Sequence, residues 1–301
     1  MSLDLDRHFE PAHGRSVCAA PGILRVTAAN GGPFTFHGTN SYVVGEDAVA
    51  IVDPGPEDAA HLEALLSAVG GRRVEAILLT HTHRDHTALV PRLRAATGAP
   101  VLGARAFHAP QGEIVDGAPS LDAALDRGLV FDAELSDGWT ARFGGLDICA
   151  IATPGHAADH VAFAVGGEGV LLSGDHVMAW STSVVAPPDG SMQAYMASLD
   201  TLLARSDSLY LPGHGGPVRR PSAFVRGLRA HRRMREAAIL ERLSAGDRTL
   251  AQIVAAIYRG LDPNLVGAAG LSVLAHLSDL EARGRVLRRD PPGGPLSFEP
   301  A

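Results

Sequence analysis

The chain has 301 residues, enough for two domains, and its 46% apolar and 20% charged composition is that of a folded rather than a disordered protein. Its 26 basic residues, all arginine, against 33 acidic ones leave a net charge of −7, which supplies no general reason to bind nucleic acid. Two cysteines, Cys18 and Cys149, exclude a disulfide framework; no leader pattern and no apolar run near the ~20 residues that span a bilayer is visible, so a cytoplasmic location without membrane attachment is expected.

The first 20 residues are polar and read as irregular. Ile23–Ala28, Ser41–Val44 and Ala48–Val52 follow as short strands bounded by Gly, Asn and Pro. Asp53-Pro54-Gly55-Pro56 ends the third sharply, with Asp53 read as a turn residue. Leu62, Leu65, Leu66 and Val69, at i, i+3, i+4 and i+7, predict a helix that Gly70-Gly71 stops. Val74–Leu79 reads as a buried strand, followed by a helix over about 88–97 and a strand near Val101. Residues 104–140 keep no clear period and read as an insertion over one end of the sheet. Leu146–Ala152, His160–Val165, Gly169–Ser173 and Ser208–Leu211 read as strands. Between the last two, Met192, Tyr195, Met196, Leu199, Leu202 and Leu203 form the apolar stripe of a helix, which places Tyr195 in the core. Sequential strands with tight turns and interleaved helices predict an α/β (α+β) fold of stacked sheets with helices outside.

The composition changes near residue 218. Residues 1–217 hold 12 Arg against 25 Asp and Glu, whereas residues 218–301 hold 14 against 8. This asymmetry predicts two modules, 1–217 and 218–301. Arg226, Arg229, Arg232, Arg233 and Arg235 crowd one helix, either as a solvated face or as an electrostatic footprint for phosphates. Leu250, Ile253, Val254 and Ile257 mark a second helix, and Val273, Leu274, Leu277 and Leu280 a third. Arg285–Arg288 and Leu296–Phe298, around a Pro-Pro-Gly-Gly turn, form a hairpin, which completes the order of a winged helix. The third helix, which would enter a groove, carries only His276 and Arg283 against Asp279 and Glu281, so sequence-specific DNA binding is not expected.

The 14 histidines carry the chemistry. Thr80-His81-Thr82-His83-Arg84-Asp85-His86 directly follows the Val74–Leu79 strand. On extended backbone His81 and His83 point to the same side and can converge on one metal; Asp85 and His86, where the chain turns into a helix, can face a neighbouring one. Imidazole and carboxylate suit zinc and similar divalent ions. Thr153-Pro154-Gly155-His156, Ser173-Gly174-Asp175-His176 and Leu211-Pro212-Gly213-His214-Gly215 each sit just after a strand as well, their glycines allowing sharp turns and close approach. His160 and His176 are candidates for orienting ligands or touching substrate, as is Tyr195. His8, His13, His37, His61, His108, His231 and His276 match no ligand spacing.

These four motifs resemble those of the metallo-β-lactamase-fold hydrolases over about residues 20–217. The resemblance implies an αββα sandwich with a two-metal site along one edge. His81, His83 and His156 would hold the first zinc, Asp85, His86 and His214 the second, and Asp175 would bridge them; manganese or iron suits the same donors. Asp85 would also orient a metal-bridging hydroxide, which makes it the catalytic carboxylate. Gly38-Thr39-Asn40-Ser41-Tyr42 looks like this superfamily's early strand. Ser173-Gly174-Asp175-His176-Val177, Ala186-Pro187-Pro188-Asp189-Gly190, the helix with Tyr195 and the winged-helix tail are similar to the β-lactamase-like protein 2 group. That likeness implies a binuclear zinc-dependent hydrolase, with phosphodiesterase or endoribonuclease action on single-stranded RNA. A glyoxalase II-like hydrolase of a small-molecule ester or thioester uses the same ligand set. From another class, an iron-dependent persulfide dioxygenase shares the ligands. A true β-lactamase is disfavoured, because the well-known zinc enzymes place Cys where Asp175 stands. Diiron flavoproteins of this fold carry Glu where His83 stands. A binding module with an inert site is disfavoured because all seven ligand positions are intact.

Overall fold

The computed structural model describes residues 3–109, 125–166, 169–291 and 294–301. Part of the insertion expected over 104–140, and part of the Pro-Pro-Gly-Gly turn, lie outside the described residues.

Seven strands form the first sheet in chain order: β1 (Ser16–Ala20), β2 (Ile23–Thr27), β3 (Asn40–Val44), β4 (Ala48–Val52), β5 (Arg73–Leu78), β6 (Val101–Ala104) and β7 (Ala133–Leu135). The pairs from β1 to β4 are antiparallel and those from β4 to β7 parallel. The second sheet contains β8 (Thr140–Phe143), β9 (Leu146–Ala152), β10 (Val161–Val165), β11 (Val170–Gly174) and β12 (Leu209–Pro212), with order β12-β11-β10-β9-β8. Only its β11–β12 pair is parallel.

Alternation along the strands builds the layers. In β4, Ala50 and Val52 face the core between the sheets, with Leu78, Ala150, Phe163 and Leu172. Val49 and Ile51 point the other way, against Leu65 and Leu93 of the helices α1 (Ala59–Val69) and α3 (Val90–Thr97). Fully buried leucines such as these contribute roughly 1.5–3 kcal/mol each. On the far side, Ile151, Ala162 and Leu171 meet Tyr195, Leu199 and Leu202 of α4 (Met192–Leu203). The result is an αββα sandwich, as expected.

Local signals set the helix ends. Asp58 caps α1 by accepting from the Ala60 and His61 amides, and left-handed Gly70 ends it. The helix expected over 88–97 is α3, and a short helix not expected separately, α2 (Arg84–Thr87), precedes it. Pro91 lies in the first turn of α3, where its missing N–H is tolerated, and would interrupt a helix running through from Arg84. Strand β1 was not expected; it is an edge strand with three exposed residues, so it shows no buried alternation.

The C-terminal region contains α5 (Pro221–Ser244), α6 (Leu250–Ile257), α7 (Val266–Ala282) and the antiparallel hairpin of β13 (Val286–Arg289) and β14 (Ser297–Pro300). Helix α5 serves two cores. Val225 and Leu228 pack with α4, whereas Ile239 and Leu243 pack with α6, α7 and Phe298. Among the described residues no helix is long and apolar enough to cross a membrane.

Candidate metal centre

The ends of β4, β5, β9, β11 and β12 lead into the segments that carry Asp53, the run from His81 to His86, His156, Asp175 and His214. Side chains from β3 tie the two sheets together at this edge. The Asn40 amide donates to the Pro212 and Gly215 carbonyls at 3.0 and 2.9 Å, and the Tyr42 hydroxyl to Pro212 at 2.7 Å. Glycine is required where the backbone passes closest. A Cβ on Gly213 would lie 2.4 Å from Asp175 Oδ1, and one on Gly174, whose φ is +49°, 2.5 Å from His160 Nε2.

Three imidazoles converge first. His81 Nε2 lies 3.0 Å and His156 Nε2 3.1 Å from His83 Nδ1. The Thr80 hydroxyl gives its proton to Asp53 Oδ2 at 2.7 Å, so His81 Nδ1–H donates to Thr80 Oγ1 at 2.9 Å and His81 Nε2 keeps a lone pair. His156 Nδ1–H donates to the Val184 carbonyl at 2.7 Å, so His156 Nε2 does the same. One proton on His83 can satisfy only one of these two nitrogens, whereas a cation satisfies all three rings. Burial, then neighbouring imidazoles, push His83 down to about 3 and His81 well below its ordinary value, so both are neutral donors at neutral pH.

A second group adjoins it. His214 Nε2 lies 3.2 Å from both Asp85 Oδ2 and Asp175 Oδ2. His86 Nε2 lies 3.5 Å from Asp85 Oδ2 and 3.6 Å from Asp175 Oδ1. Asp175 Oδ2 also reaches to 3.7 Å of His156 Nε2, so this carboxylate touches both groups. Burial opposes charge here, but Asp175 and Asp85 still raise His214 to about 9, and Asp85, Asp175 and Asp53 raise His86 well above the usual range. The carboxylates thus draw positive charge into the cluster. His86 Nε2 and Asp175 Oδ1 are buried and have no hydrogen-bond partner among the described residues. Converging lone pairs, two carboxylates and orphaned buried donor atoms fit divalent cations.

Asp53 does more than turn the chain. It is 2% exposed and left-handed, with φ 52°, a conformation that aspartate tolerates better than most residues. Its Oδ1 accepts from the Thr80 amide at 2.8 Å, and its Oδ2 from the Thr80 hydroxyl and from His86 Nδ1 at 2.9 Å. It therefore aims both His81 and His86. If the cluster holds a divalent cation, Asp53→Ala is expected to weaken its binding about 10–100-fold, measured with added zinc by chelator competition; a wild-type dissociation constant would show that the loop aims its own histidines.

The remaining candidates take other places. His160 Nδ1 pairs with Thr153 Oγ1 at 2.8 Å, and its Nε2 accepts from the Asp175 amide at 3.1 Å, so the ring holds the backbone of a ligand candidate, which is the orienting role of the two expected for it. His176 is fully buried with its ring against Tyr195, centroids 4.4 Å apart. Tyr195 is buried as expected, and its hydroxyl donates to the His176 carbonyl at 3.0 Å. Sequence reasoning missed Asp159, which is 8% exposed. Its Oδ2 accepts from the hydroxyl of Thr82, between two of the converging histidines, at 2.6 Å. Burial, reinforced by Asp189, pushes this carboxyl up to about 7. An acid three residues after His156 was the available signal.

Known proteins share this architecture. A family model described as Metallo-beta-lactamase superfamily matches residues 34–214, and one described as Beta-lactamase associated winged helix domain matches residues 249–293. The chain is 30% identical to a Beta-lactamase-like protein 2 homolog of Drosophila melanogaster, over 88% of this chain and 89% of that protein. It is 28% identical to an Atrochrysone carboxyl ACP thioesterase of Aspergillus fumigatus, over 79% of this chain and 74% of that one. Among solved structures, a metallo-beta-lactamase family protein from Thermus thermophilus superposes with a TM-score of 0.76 at 25% identity, covering 94% of this chain and 99% of that one. A Beta-lactamase domain protein from Burkholderia ambifaria superposes with a TM-score of 0.82 at 22% identity, covering 99% and 97%.

Proposed function

This chain belongs to the metallo-beta-lactamase superfamily, and from that membership we propose that it is a binuclear zinc hydrolase acting on a small acyl thioester. His81, His83 and His156 would hold one ion, Asp85, His86 and His214 the other, and Asp175 both. Zinc is the assignment because five imidazoles and two carboxylates without thiolate suit it. Bound there, the ions would polarise the acceptor oxygen and lower the pKa of water toward ~7.

The chain's own residues supply orientation and proton handling. Thr80, Asp53 and the Val184 carbonyl accept the Nδ1 protons of His81, His86 and His156, so that each ring aims Nε2 at the cluster without rotating. Asp85 is the carboxylate of the cluster open to solvent, its side chain 30% exposed against 9% for Asp175. Its charge is held by His86 and His214 against the cost of burial. It therefore stays ionised and orients water by accepting its hydrogen bond on the open side.

The observation that carries the thioester reading is how α5 uses its arginines, taken with the thioesterases among the relatives. Arg229 pairs with Asp200, Arg232 is buried against the Ser183 carbonyl, Arg235 lies over the Tyr258 ring and Arg242 pairs with Asp247. This engagement favours a structural role for the helix over a phosphate footprint. A panel on zinc-loaded protein under nitrogen tests the reading, with S-lactoylglutathione, single-stranded RNA, bis-p-nitrophenyl phosphate and nitrocefin. Thioester hydrolysis without oxygen is expected. RNA cleavage with an inert thioester would transfer the assignment to a phosphodiesterase. Oxygen consumption with glutathione persulfide by iron-loaded protein, and no hydrolysis, would transfer it to a dioxygenase.

A further inference from the structure

Helix α5 belongs to the C-terminal region, yet one of its side chains ends on the Ser183–Val184 segment that borders the metal centre. Arg232 is 3% exposed. Its guanidinium donates to the Ser183 carbonyl and sits 5.0 Å from the centroid of the Tyr195 ring. Its Nε has no hydrogen-bond partner among the described residues. An arginine head is rarely buried without a carboxylate, because the lost hydration must be offset by good hydrogen bonds. Solubility does not explain such a group, and a solvated face does not contain it.

The segment it grips explains more. The Ser183 hydroxyl lies 2.6 Å from the Asp175 carbonyl and 2.8 Å from that of His176, donating to this pair. The next carbonyl, Val184, accepts from His156 Nδ1 at 2.7 Å. Tyr195, beneath the guanidinium, donates to the same His176 carbonyl at 3.0 Å. Ser183–Val184 is thus fastened to the backbone of Asp175 on one side and to the ring of His156 on the other. Arg232 holds this segment from behind.

We propose that Arg232 is a positioning residue for the metal centre: through Ser183 and Val184 it sets the aim of His156 and the placement of Asp175, so that helix α5 supports two ligands of the catalytic sandwich from outside it. This rests on the metal assignment made above. Residues that orient metal ligands typically change affinity by 10–100-fold when removed.

The test is zinc affinity and stoichiometry of the metal-free full-length protein, by competition with a chromophoric chelator, with the visible spectrum of the cobalt-substituted protein as a second readout. The variants are Arg232→Met, Arg232→Lys and, as a control on the same helix, Arg233→Met, whose side chain is exposed. Arg232→Met is expected to bind about 10–100-fold more weakly and to show an altered cobalt spectrum. Arg232→Lys should fall between it and wild type, because an ammonium keeps the charge but not the planar fork. Arg233→Met should match wild type. If Arg232→Met does not fold, as judged by circular dichroism, Arg232→Lys decides: weaker binding supports the proposal and wild-type binding overturns it. Wild-type affinity and spectrum in a folded Arg232→Met also overturn it while leaving the metal assignment standing. A wild-type protein that takes up no zinc would instead remove the metal assignment, and the proposal with it.

Discussion

Asp175→Asn is expected to lower turnover by at least about 10³-fold and to reduce bound zinc from about two ions per chain to at most one. The reason lies in how the carboxylate is spent. One oxygen lies 3.2 Å from His214 Nε2 and 3.7 Å from His156 Nε2, and the other 3.6 Å from His86 Nε2. Asparagine has nearly the same shape but replaces one of these oxygens with a donor aimed at a lone pair, and removes the charge. Burial works against that charge, yet His214 and His86 hold the Asp175 carboxyl well below the ordinary range, so the protein is built to keep it ionised. Lewis-acid assistance is worth several kcal/mol, and each 1.36 kcal/mol is tenfold in rate. The measurement is kcat on the substrate that the panel identifies, together with elemental analysis of the dialysed protein. Wild-type turnover with two bound zinc ions would show that Asp175 does not join the two groups.

The site was legible because its chemistry is local in sequence. His81 and His83 are two apart on extended backbone, and the other motifs each follow a strand, so strand ends on one edge brought them together. What could not be read is where the groups behind them come from. Asp53 reads as a turn residue because nothing in Asp-Pro-Gly-Pro says that its carboxylate meets Thr80 and His86, 27 and 33 positions away. Arg232 was one of five arginines crowding a helix, and only the packing of α5 on α4 separates the buried one from exposed Arg226 and Arg233. Strand β1 escaped for the opposite reason: an edge strand with an exposed face has no apolar alternation to betray it.

Asp159→Asn should make the metal-free protein more stable than wild type at pH 8, by on the order of 4 kcal/mol at most, with much less difference at acidic pH. Asp159 is enclosed on the Thr82 side of the centre, and burial followed by Asp189 raises its carboxyl from 3.8 to about 7. The unfolded chain loses that proton near 3.8, whereas the folded chain keeps it until about 7. Across this interval the unfolded state binds fewer protons than the native state, so wild-type stability falls as pH rises, by about 1.4 kcal/mol per pH unit, and levels off above the folded value. Asparagine cannot ionise and still offers Thr82 a carbonyl oxygen to accept its hydroxyl, so the variant escapes this loss. The experiment is urea denaturation of both proteins in chelator at pH 5, 6, 7 and 8. The expected result is a gap that widens from pH 5 to about 7 and then holds. A gap of constant size would mean that Asp159 ionises near its ordinary value and that Thr82 donates to a carboxylate rather than to a protonated acid.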